Sequence, residues 1–356
     1  MELLGFDTGP IIGLDIGASA VKVLQLGKHG DRIRVENFAI EQLEPGVVRE
    51  RNIVDRDRVV AAIKSVIKKS GVKTQKICVS ISNSMAITKV LKMAADLSDK
   101  DIGGEIEIEA GKHIPYPLSE INLDYTVLGP IENSAGMMNV LLVASKADNI
   151  NNISGLVIDA GLNPSIVDID AYAIARSFDL VSRKLPAQGK NKIIAIFDIG
   201  ATITTMNVLE NENVIYMRDQ TFGSQQLIDE IQNIYGLTYE EAILSLRYEN
   251  LPKDFYPEIL DPFKHLVAQQ ISRFCQFFFS AGAKNTIDYI FLTGGFSSAF
   301  GLDKVIQDKL QFKTFVAHPF DDMVLANHIN KDEFKNAMPQ LMKCCGLALH
   351  NIKVKK

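Results

Sequence analysis

Two segments of this sequence, about half the chain apart, repeat the same strand–turn–strand pattern. They are 12-IGLDIGASAVKVLQL-26 and 195-AIFDIGATITTMNVL-209, and each is followed by another apolar strand across a turn. The matched pairs are Asp15 with Asp198, Ile16 with Ile199, Gly17 with Gly200, Ala18 with Ala201 and Ser19 with Thr202. One repeat at this separation indicates an internal duplication rather than a solenoid. The chain is therefore expected to fold as two related domains.

The acidic turn in each copy predicts a site for phosphate and metal. An aspartate beside an apolar strand is costly when it is buried alone, but two such turns facing each other across a cleft can hold a hydrated divalent cation. The glycine two positions later lets the backbone approach an anion, and successive turn amides cradle phosphate oxygens. Lys22 adds a cationic side chain for the β- or γ-phosphate. The predicted ligand is a nucleoside triphosphate, with Mg²⁺ held through water by Asp15 and Asp198.

The duplication is what makes this prediction specific. A single Asp-x-Gly at the end of a strand is ordinary turn chemistry, and only the second copy with matching neighbours favours a functional site. The sequence contains no GxxxxGK[ST] phosphate loop and no GxGxxG after a strand, so the two common nucleotide motifs are missing.

A glycine-rich turn later in the chain supports the same conclusion. The segment 289-YIFLTGGFSSAFGL-302 is an apolar strand followed by Gly294, Gly295 and Phe296, with Gly301 before a helix. Paired glycines at the carboxyl end of a strand allow a base or ribose to approach the backbone.

Composition excludes several classes of protein. The 356 residues carry a net charge of −5, which gives no basis for nucleic-acid binding. The four cysteines have no metal-ligand spacing, so a reducing, cytoplasmic setting is expected. The N-terminus lacks the pattern of a signal peptide, and no apolar run is long enough to span a membrane.

Periodicity and turn residues predict the order of elements. Residues 11–26 and 32–40 read as successive strands with Gly27, Gly30 and Asp31 at the turn, and a helix is expected over 56–70. Residues 85–160 look like a separate small unit, and 186-PAQGKNK-192 is the best linker. The other expected elements are strands at 76–82, 86–93, 121–129, 137–145, 165–170, 193–209 and 214–221, helices at 147–160 and 171–181, a helical stretch over 223–285, and a strand–turn–helix from 289.

With these motifs in this order, the chain resembles the actin/hexokinase/heat-shock ATPase family. Asp15–Lys22 and Asp198–Thr205 are similar to its two phosphate motifs, and Gly294, Gly295 and Gly301 to its adenosine motif. Residues 168–176 and 341–351 are similar to its two connecting helices. The resemblance implies an α/β, ribonuclease-H-like fold with two related domains around a nucleotide cleft. The implied divisions are a first core (1–84, 161–190 and 340–356), an inserted subdomain (85–160), a second core (191–222 and 286–339) and a helical subdomain (223–285).

Within that fold, the chain most resembles the PilM family of type IV pilus assembly proteins. The resemblance rests on 12–26, 113-HIPYPLSEINLDYTVLG-129, 166-IVDIDAYAIARSF-178 and 221-TFGSQQLIDEI-231. It implies that residues 85–160 form an FtsA-like subdomain and that the protein binds ATP or ADP. It also implies a cytoplasmic scaffold, recruited to the inner membrane by the N-terminal peptide of a PilN-like partner and linked to other pilus components.

The same resemblance implies weak or negligible ATPase activity. Asp170 stands where actin-like ATPases use a glutamine to position water, and Thr205 stands where actin has a histidine. An aspartate could hold the water, so Asp170 is the candidate catalytic residue, and slow turnover is expected. Glu241, in 237-LTYEEAILSLR-247, matches the place of a ribose or adenine contact. Arg247 is a weaker candidate, and a solvated helix face is the alternative for both.

Two other functions stay open at this stage. One is a filament-forming cytoskeletal protein like FtsA, which the short tail 351-NIKVKK-356 argues against because it lacks an amphipathic membrane helix. The other is a sugar or acetate kinase, with Asp168 or Asp170 as the base. His113 is expected to be a turn residue, and Tyr116 a core residue in preference to a peptide-groove residue.

Overall fold

A computed structural model describes residues 9–131, 134–247 and 250–352 of the chain. Its first part is a strand-rich unit closed by one helix. The elements in chain order are β1 (Ile12–Ile16), β2 (Ala20–His29), β3 (Arg32–Gln42), the short hairpin strands β4 (Val48–Arg49) and β5 (Asn52–Ile53), helix α1 (Arg56–Ser70) and β6 (Lys76–Ile81). Helix α1 has its predicted bounds; Asp55 caps it by accepting from the Arg58 amide, and Gly71 ends it with a φ of 69°.

A small three-stranded sheet follows. A 3₁₀ turn at Asn83–Met85 leads into β7 (Ala86–Ala94), α2 (Asp99–His113), β8 (Ile121–Pro130), β9 (Met137–Lys146) and α3 (Ala147–Asp159). The strand order is β7-β9-β8, with all pairs antiparallel. The chain then returns to the first unit through β10 (Asn163–Ile169) and α4 (Asp170–Ser182).

Most of the remaining elements build a second large unit: β11 (Ile193–Ile199), β12 (Thr204–Glu210), β13 (Asn213–Gln220), α5 (Gln225–Tyr235), α6 (Tyr239–Arg247), α7 (Asp261–Ser280), β14 (Tyr289–Thr293), α8 (Leu302–Leu310) and β15 (Lys313–Val316). The last three elements return to the first unit: β16 (Val324–Leu325), α9 (Lys331–Ala337) and α10 (Met342–Ala348). One turn of π-helix at Tyr256–Leu260 leads directly into α7.

The two large sheets share one topology. The first has the order β10-β6-β1-β2-β3-β16 and the second β13-β12-β11-β14-β15. Apart from β16, each sheet consists of an antiparallel meander of three strands, to which two further strands are added in parallel. The registers match as well, because Asp15 pairs with Lys22 in one sheet and Asp198 with Thr205 in the other. The predicted duplication therefore extends over the whole sheet.

Two boundaries differ from their predictions. Residues 11–26 are not one strand: β1 and β2 form a hairpin with its turn at residues 17–19, as the duplicated strand–turn–strand pattern requires. The next turn lies at Gly30 and Asp31, while Gly27 belongs to β2. Residues 193–209 are likewise two strands, β11 and β12, joined by a turn at residues 200–203. A continuous apolar run does not reveal where a tight hairpin interrupts it, since both strands are buried.

Helices α4 and α10 lie between the two large sheets. Ile174 and Phe178 of α4 pack on the second sheet, and Cys345 and Ala348 of α10 pack on the first. The two helices cross at Gly346, where an added Cβ would lie 1.7 Å from the Ala173 carbonyl oxygen. These are the two predicted connecting helices, and their contact fixes how the two halves face each other. None of the described helices is long and apolar enough to cross a membrane.

Candidate nucleotide-binding cleft

A cavity of about 460 Å³ lies between the two halves. Its volume is in the range of small-molecule sites. The structure brings most of the predicted site residues to its walls: Asp15, Gly17, Ala18, Ser19, Lys22, Asp170, Asp198, Gly200, Ala201, Thr202, Thr205, Gly294 and Gly295.

The two hairpin turns present equivalent backbone to this cleft. The Gly17 amide donates to the Ala20 carbonyl at 2.9 Å, and the Gly200 amide donates to the Ile203 carbonyl at 3.1 Å. Inside each turn, two successive amides have no acceptor within the described parts of the chain. They belong to Ala18 and Ser19 in the first turn and to Ala201 and Thr202 in the second. Unpaired successive amides are donors suited to phosphate oxygens.

The glycine-rich segment closes one side of the cleft. Gly294 has a φ of 90°, and an added Cβ would lie 2.4 Å from the Ile199 carbonyl oxygen and 2.5 Å from Asp198 Oδ1. Only glycine fits there, because both the backbone conformation and the close approach exclude a side chain. The segment therefore packs directly on the acidic end of β11.

Asp15 is a fully paired carboxylate. Lys22 Nζ donates to its Oδ2 at 2.9 Å, and Lys343 Nζ lies 3.1 Å from its Oδ1. Burial alone would raise the pKa of Asp15, but the two ammonium groups outweigh it and hold the pKa well below its usual range. The charge that the sequence places beside an apolar strand is thus neutralised by one local and one distant lysine.

Asp198, the duplicate of Asp15, has no such pairing. It is partly buried and faces the cleft, and within the described residues its carboxylate has neither a hydrogen bond nor an ion pair. Burial raises the pKa of Asp198, and the neighbouring Asp15 and Asp170 add to that rise, although Lys343 opposes it. A buried carboxylate without a cation favours the arrival of one. This donor is suited to Mg²⁺, which prefers oxygen ligands and keeps several waters.

Asp170 begins α4 and is surrounded by donors. Ser80 donates to its Oδ1 at 2.6 Å, Arg51 Nη1 donates to its Oδ2 at 2.5 Å, and Lys343 Nζ lies 3.3 Å away. The predicted water-positioning carboxylate is therefore already engaged by three side chains.

Two cations that pair with the cleft aspartates were not anticipated from sequence. Lys343 comes from α10 and is nearly buried. Burial would lower its pKa, but Asp15, Asp170 and Asp198 raise it above the ordinary value. A lysine within the apolar run 341-LMKCCGLAL-349 was the available signal. For Arg51, at the turn of the β4–β5 hairpin, the sequence carries no such signal, because the residues that it contacts are more than a hundred positions away in sequence.

Three predicted nucleotide contacts are not brought to the cleft. Glu241 is exposed and forms a capping box for α6, accepting from the amide and hydroxyl of Thr238 at 2.8 Å each. Phe296 is 5% exposed and packs against Phe263 in the core of the second half. Gly301 precedes α8 with a φ of 75°. The side chain of Arg247 lies outside the described residues.

Asp168, the alternative kinase base, is also outside the cleft lining. It accepts from Arg176 at 2.8 Å and pairs with His350 at 2.9 Å, and Cys78 lies beside them. Burial raises the pKa of the Cys78 thiol, so it stays protonated at neutral pH. A protonated thiol and an arginine already bound to the carboxylate make this cluster a poor metal site.

A second cavity of about 290 Å³ lies beside the small sheet. Its walls include Ile87, Ile114, Tyr116 and Ile121, and Lys146 Nζ lies 4.3 Å from the centre of the Tyr116 ring. Tyr116 is 36% exposed, so it is a groove residue and the expectation of a core position was wrong. His113 was expected in a turn, but it is the last residue of α2, and its Nδ1 lies 2.9 Å from Lys89 Nζ.

The two cavities share part of one wall. Met85 and Asn149 line both of them. The Met85 carbonyl accepts from the Ser145 hydroxyl at 2.7 Å and from Asn149 Nδ2 at 3.3 Å. The 3₁₀ turn that ends at Met85 therefore separates the cleft from the second cavity.

Comparison with known families gives one match over nearly the whole chain. The model of the family described as type IV pilus assembly protein PilM matches residues 13–352. The cell division protein FtsA of Enterococcus hirae is 24% identical over 277 residues, which cover 70% of this chain. The aligned region spans 59% of the length of that relative.

Solved structures with the same fold include two that superpose over most of both chains. A chain of a PilM-PilN type IV pilus biogenesis complex has a TM-score of 0.74 and 19% identity, covering 96% of this chain and 98% of its own. The ethanolamine utilization protein EutJ from Carboxydothermus hydrogenoformans has a TM-score of 0.57 and 15% identity, covering 96% and 89%.

Proposed function

Since the chain belongs to the PilM family of type IV pilus assembly proteins and has the actin-like ATPase fold, we propose that it is an ATP-binding scaffold of pilus assembly. One observation carries the proposal. Two turns related by duplication, closed by the same hydrogen bond, present unpaired amides to one cleft. Such donors favour an anionic chain of phosphates between them.

The charges around the cleft support a requirement for Mg²⁺. Three cations, Lys22, Lys343 and Arg51, already pair with aspartates. They therefore leave little positive charge for a nucleotide. Among the described residues, the Asp198 carboxylate has no cationic partner. Asp198 is therefore the residue proposed to hold the metal, through water, while the metal neutralises phosphate charge. Asp15 would not hold the metal; it would position Lys22 and Lys343 beside the phosphates instead.

Slow or negligible hydrolysis is part of the proposal. Phosphoryl transfer to water needs a group free to orient the attacking water. Both oxygens of Asp170 are taken by Ser80 and Arg51, and Thr205 accepts from Arg51 as well. ATP would then act as a bound structural ligand, and turnover well under about 1 s⁻¹ is expected, below the range of kinases.

The second cavity is the proposed site for a partner's peptide. It combines apolar walls with a tyrosine and a lysine at its rim, which suits a short segment with apolar and acidic or polar side chains. The matched PilM chain was solved in complex with PilN. We assign this cavity to the cytoplasmic N-terminal peptide of a PilN-like inner-membrane protein, which would bring the scaffold to the membrane.

Calorimetric titration tests the nucleotide part of the proposal. ATP and ADP are titrated into the protein in Mg²⁺ and again in EDTA. Binding in the micromolar range or tighter, weakened by EDTA, is the expected result. Asp198→Asn should remove the metal dependence, whereas Asp321→Asn, an exposed carboxylate paired with Lys184, should not. Absence of heat with both nucleotides would contradict the proposal.

A further inference from the structure

Arg51 is held in the cleft by an unusual hairpin. The β4–β5 turn consists of Glu50 and Arg51, with φ values of 46° and 67°. Two-residue hairpins with positive φ at both positions normally use asparagine and glycine, because other residues are strained there. The hairpin is anchored by buried Val48, so this conformation projects the arginine side chain into the cleft.

The guanidinium of Arg51 joins the two halves. Nη1 donates to Asp170 of the first half at 2.5 Å, and Nη2 donates to the Thr205 hydroxyl of the second half at 2.8 Å. Nη2 also lies 3.4 Å from Asp219 Oδ2 on β13. Thr205 is the register partner of Asp198. Arg51 therefore ties the start of α4 to the base of the second phosphate hairpin.

Asn83 makes a second connection between the two halves, across the same boundary, here called the seam. Its Oδ1 accepts from the Ala171 amide of α4 at 2.9 Å, within the first half. Its Nδ2 reaches Asp219 at 3.4 Å and Asn207 at 3.5 Å, in the second half. The contacts of Arg51 and Asn83 with Asp219 and Asn207 in the second half, at 3.4–3.5 Å, are thus longer than their contacts within the first half, at 2.5–2.9 Å. Only the Arg51–Thr205 bond across the halves is short.

The seam is also incompletely satisfied. Within the described parts of the chain, Arg51 Nε, Asn207 Nδ2 and Asp219 Oδ2 are buried without a hydrogen-bond partner. Buried polar atoms without partners are costly. Of these atoms only Asp219 Oδ2 is an acceptor, and it lies in the second half, 3.4 Å from Arg51 Nη2 of the first half. A small approach of the halves would shorten that contact to a hydrogen bond.

We propose that Arg51 is a positioning residue that sets the spacing of the two phosphate hairpins for a nucleoside triphosphate. This inference rests on the proposed nucleotide binding. A triphosphate carries one more phosphate than a diphosphate for the two turns to share, so it draws the halves together more strongly. The closer spacing of the halves completes the pairing of Arg51 with Asp219. A diphosphate is held mainly by one turn, so its affinity depends less on that spacing.

The test compares a non-hydrolysable triphosphate, AMPPNP, with ADP, both in Mg²⁺. Wild-type protein should bind AMPPNP more tightly than ADP. Arg51→Gln should lower AMPPNP affinity about tenfold or more, as expected for a lost charge-assisted pair, and change ADP affinity by less than about threefold. Arg51→Lys should not restore the preference, because an ammonium cannot serve three acceptors in one plane. Arg58→Gln, an exposed arginine on α1, is the matched control.

Each other outcome has a defined meaning. Equal losses for AMPPNP and ADP would reduce Arg51 to a structural role and overturn the inference, as would an unchanged preference. Wild-type binding of both nucleotides without preference overturns the inference but leaves the proposed function standing. Binding of neither removes both. If Arg51→Gln does not fold, Asp219→Asn applies the same test from the opposite side of the seam.

Discussion

The duplicated aspartates should respond in opposite ways to the same substitution. Asp15→Asn removes the carboxylate from a nearly buried group of ion pairs and leaves Lys22 without its acceptor. Breaking a buried pair from one side costs about 3–5 kcal/mol. Asp198→Asn instead removes a carboxylate that has no cationic partner among the described residues and whose pKa is raised. Replacing it should stabilise the free protein, by about 0.5–2 kcal/mol.

These free energies convert to measurable melting temperatures. A chain of 356 residues has an unfolding entropy of about 0.75 kcal/mol/K at roughly 2.1 cal/mol/K per residue. Asp15→Asn should therefore lower the melting temperature by about 4–7 °C, and Asp198→Asn should raise it by about 1–3 °C. Differential scanning calorimetry of nucleotide-free protein at neutral pH is the assay. Asp321→Asn, which breaks an exposed pair, should change stability by less than about 0.5 kcal/mol.

The sign of each shift is the part that can refute the reasoning. If both variants melt lower than wild type, Asp198 has a stabilising partner and is not poised for a cation. If both melt higher, the two ion pairs of Asp15 stabilise the folded protein by less than the desolvation of its carboxylate costs. Equal shifts of either sign would show that the two copies of the motif are electrostatically equivalent, contrary to their different contacts.

Three further predictions follow from individual contacts. On acidification, the unfolding free energy should fall as the pH drops below about 4. A carboxylate whose pKa is lowered by folding contributes its full stabilisation only above its ordinary pKa, which is 3.8 for Asp15. Denaturant titrations should show a smaller fall in Asp15→Asn. Gly346→Ala forces a methyl group against the Ala173 carbonyl and should cost about 3 kcal/mol, seen as a lower denaturation midpoint. Glu241→Ala should lower helicity by circular dichroism, since it removes the capping box with Thr238, but leave ATP affinity unchanged; a large loss of ATP affinity would return Glu241 to the nucleotide site.

The features predicted from sequence are those encoded by a short local pattern or by the internal repeat. The hairpins, the glycine segment and the first connecting helix each carry their own pattern within about twenty residues, whereas the second connecting helix was expected from the family resemblance. Duplication then fixed the relation between Asp15 and Asp198. The capping box at Thr238 and Glu241 was equally local, and its T-x-x-E spacing is a known helix start. Its glutamate was interpreted instead through resemblance to a nucleotide contact.

The electrostatics of the cleft could not be predicted in this way. Asp15 and Asp198 are each followed by Ile-Gly-Ala, yet Asp15 pairs with two lysines and Asp198 has no cationic partner among the described residues. The difference comes from Lys343, more than three hundred residues from Asp15, and from position 205, where threonine replaces the lysine found at position 22. The role of Arg51 depends on three acceptors from α4, β12 and β13. Such contacts are fixed by packing of the halves and not by any local pattern.

Titration of the partner's peptide tests the central claim most directly. A synthetic peptide covering the cytoplasmic N-terminus of a PilN-like protein is titrated into the protein, with and without ATP and Mg²⁺. Binding in the micromolar range or tighter is expected, and nucleotide should change the affinity because the two cavities share Met85 and Asn149. Tyr116→Ala should weaken that binding without altering ATP affinity. No peptide binding in either condition would contradict the proposed scaffold and leave the nucleotide cleft without its partner.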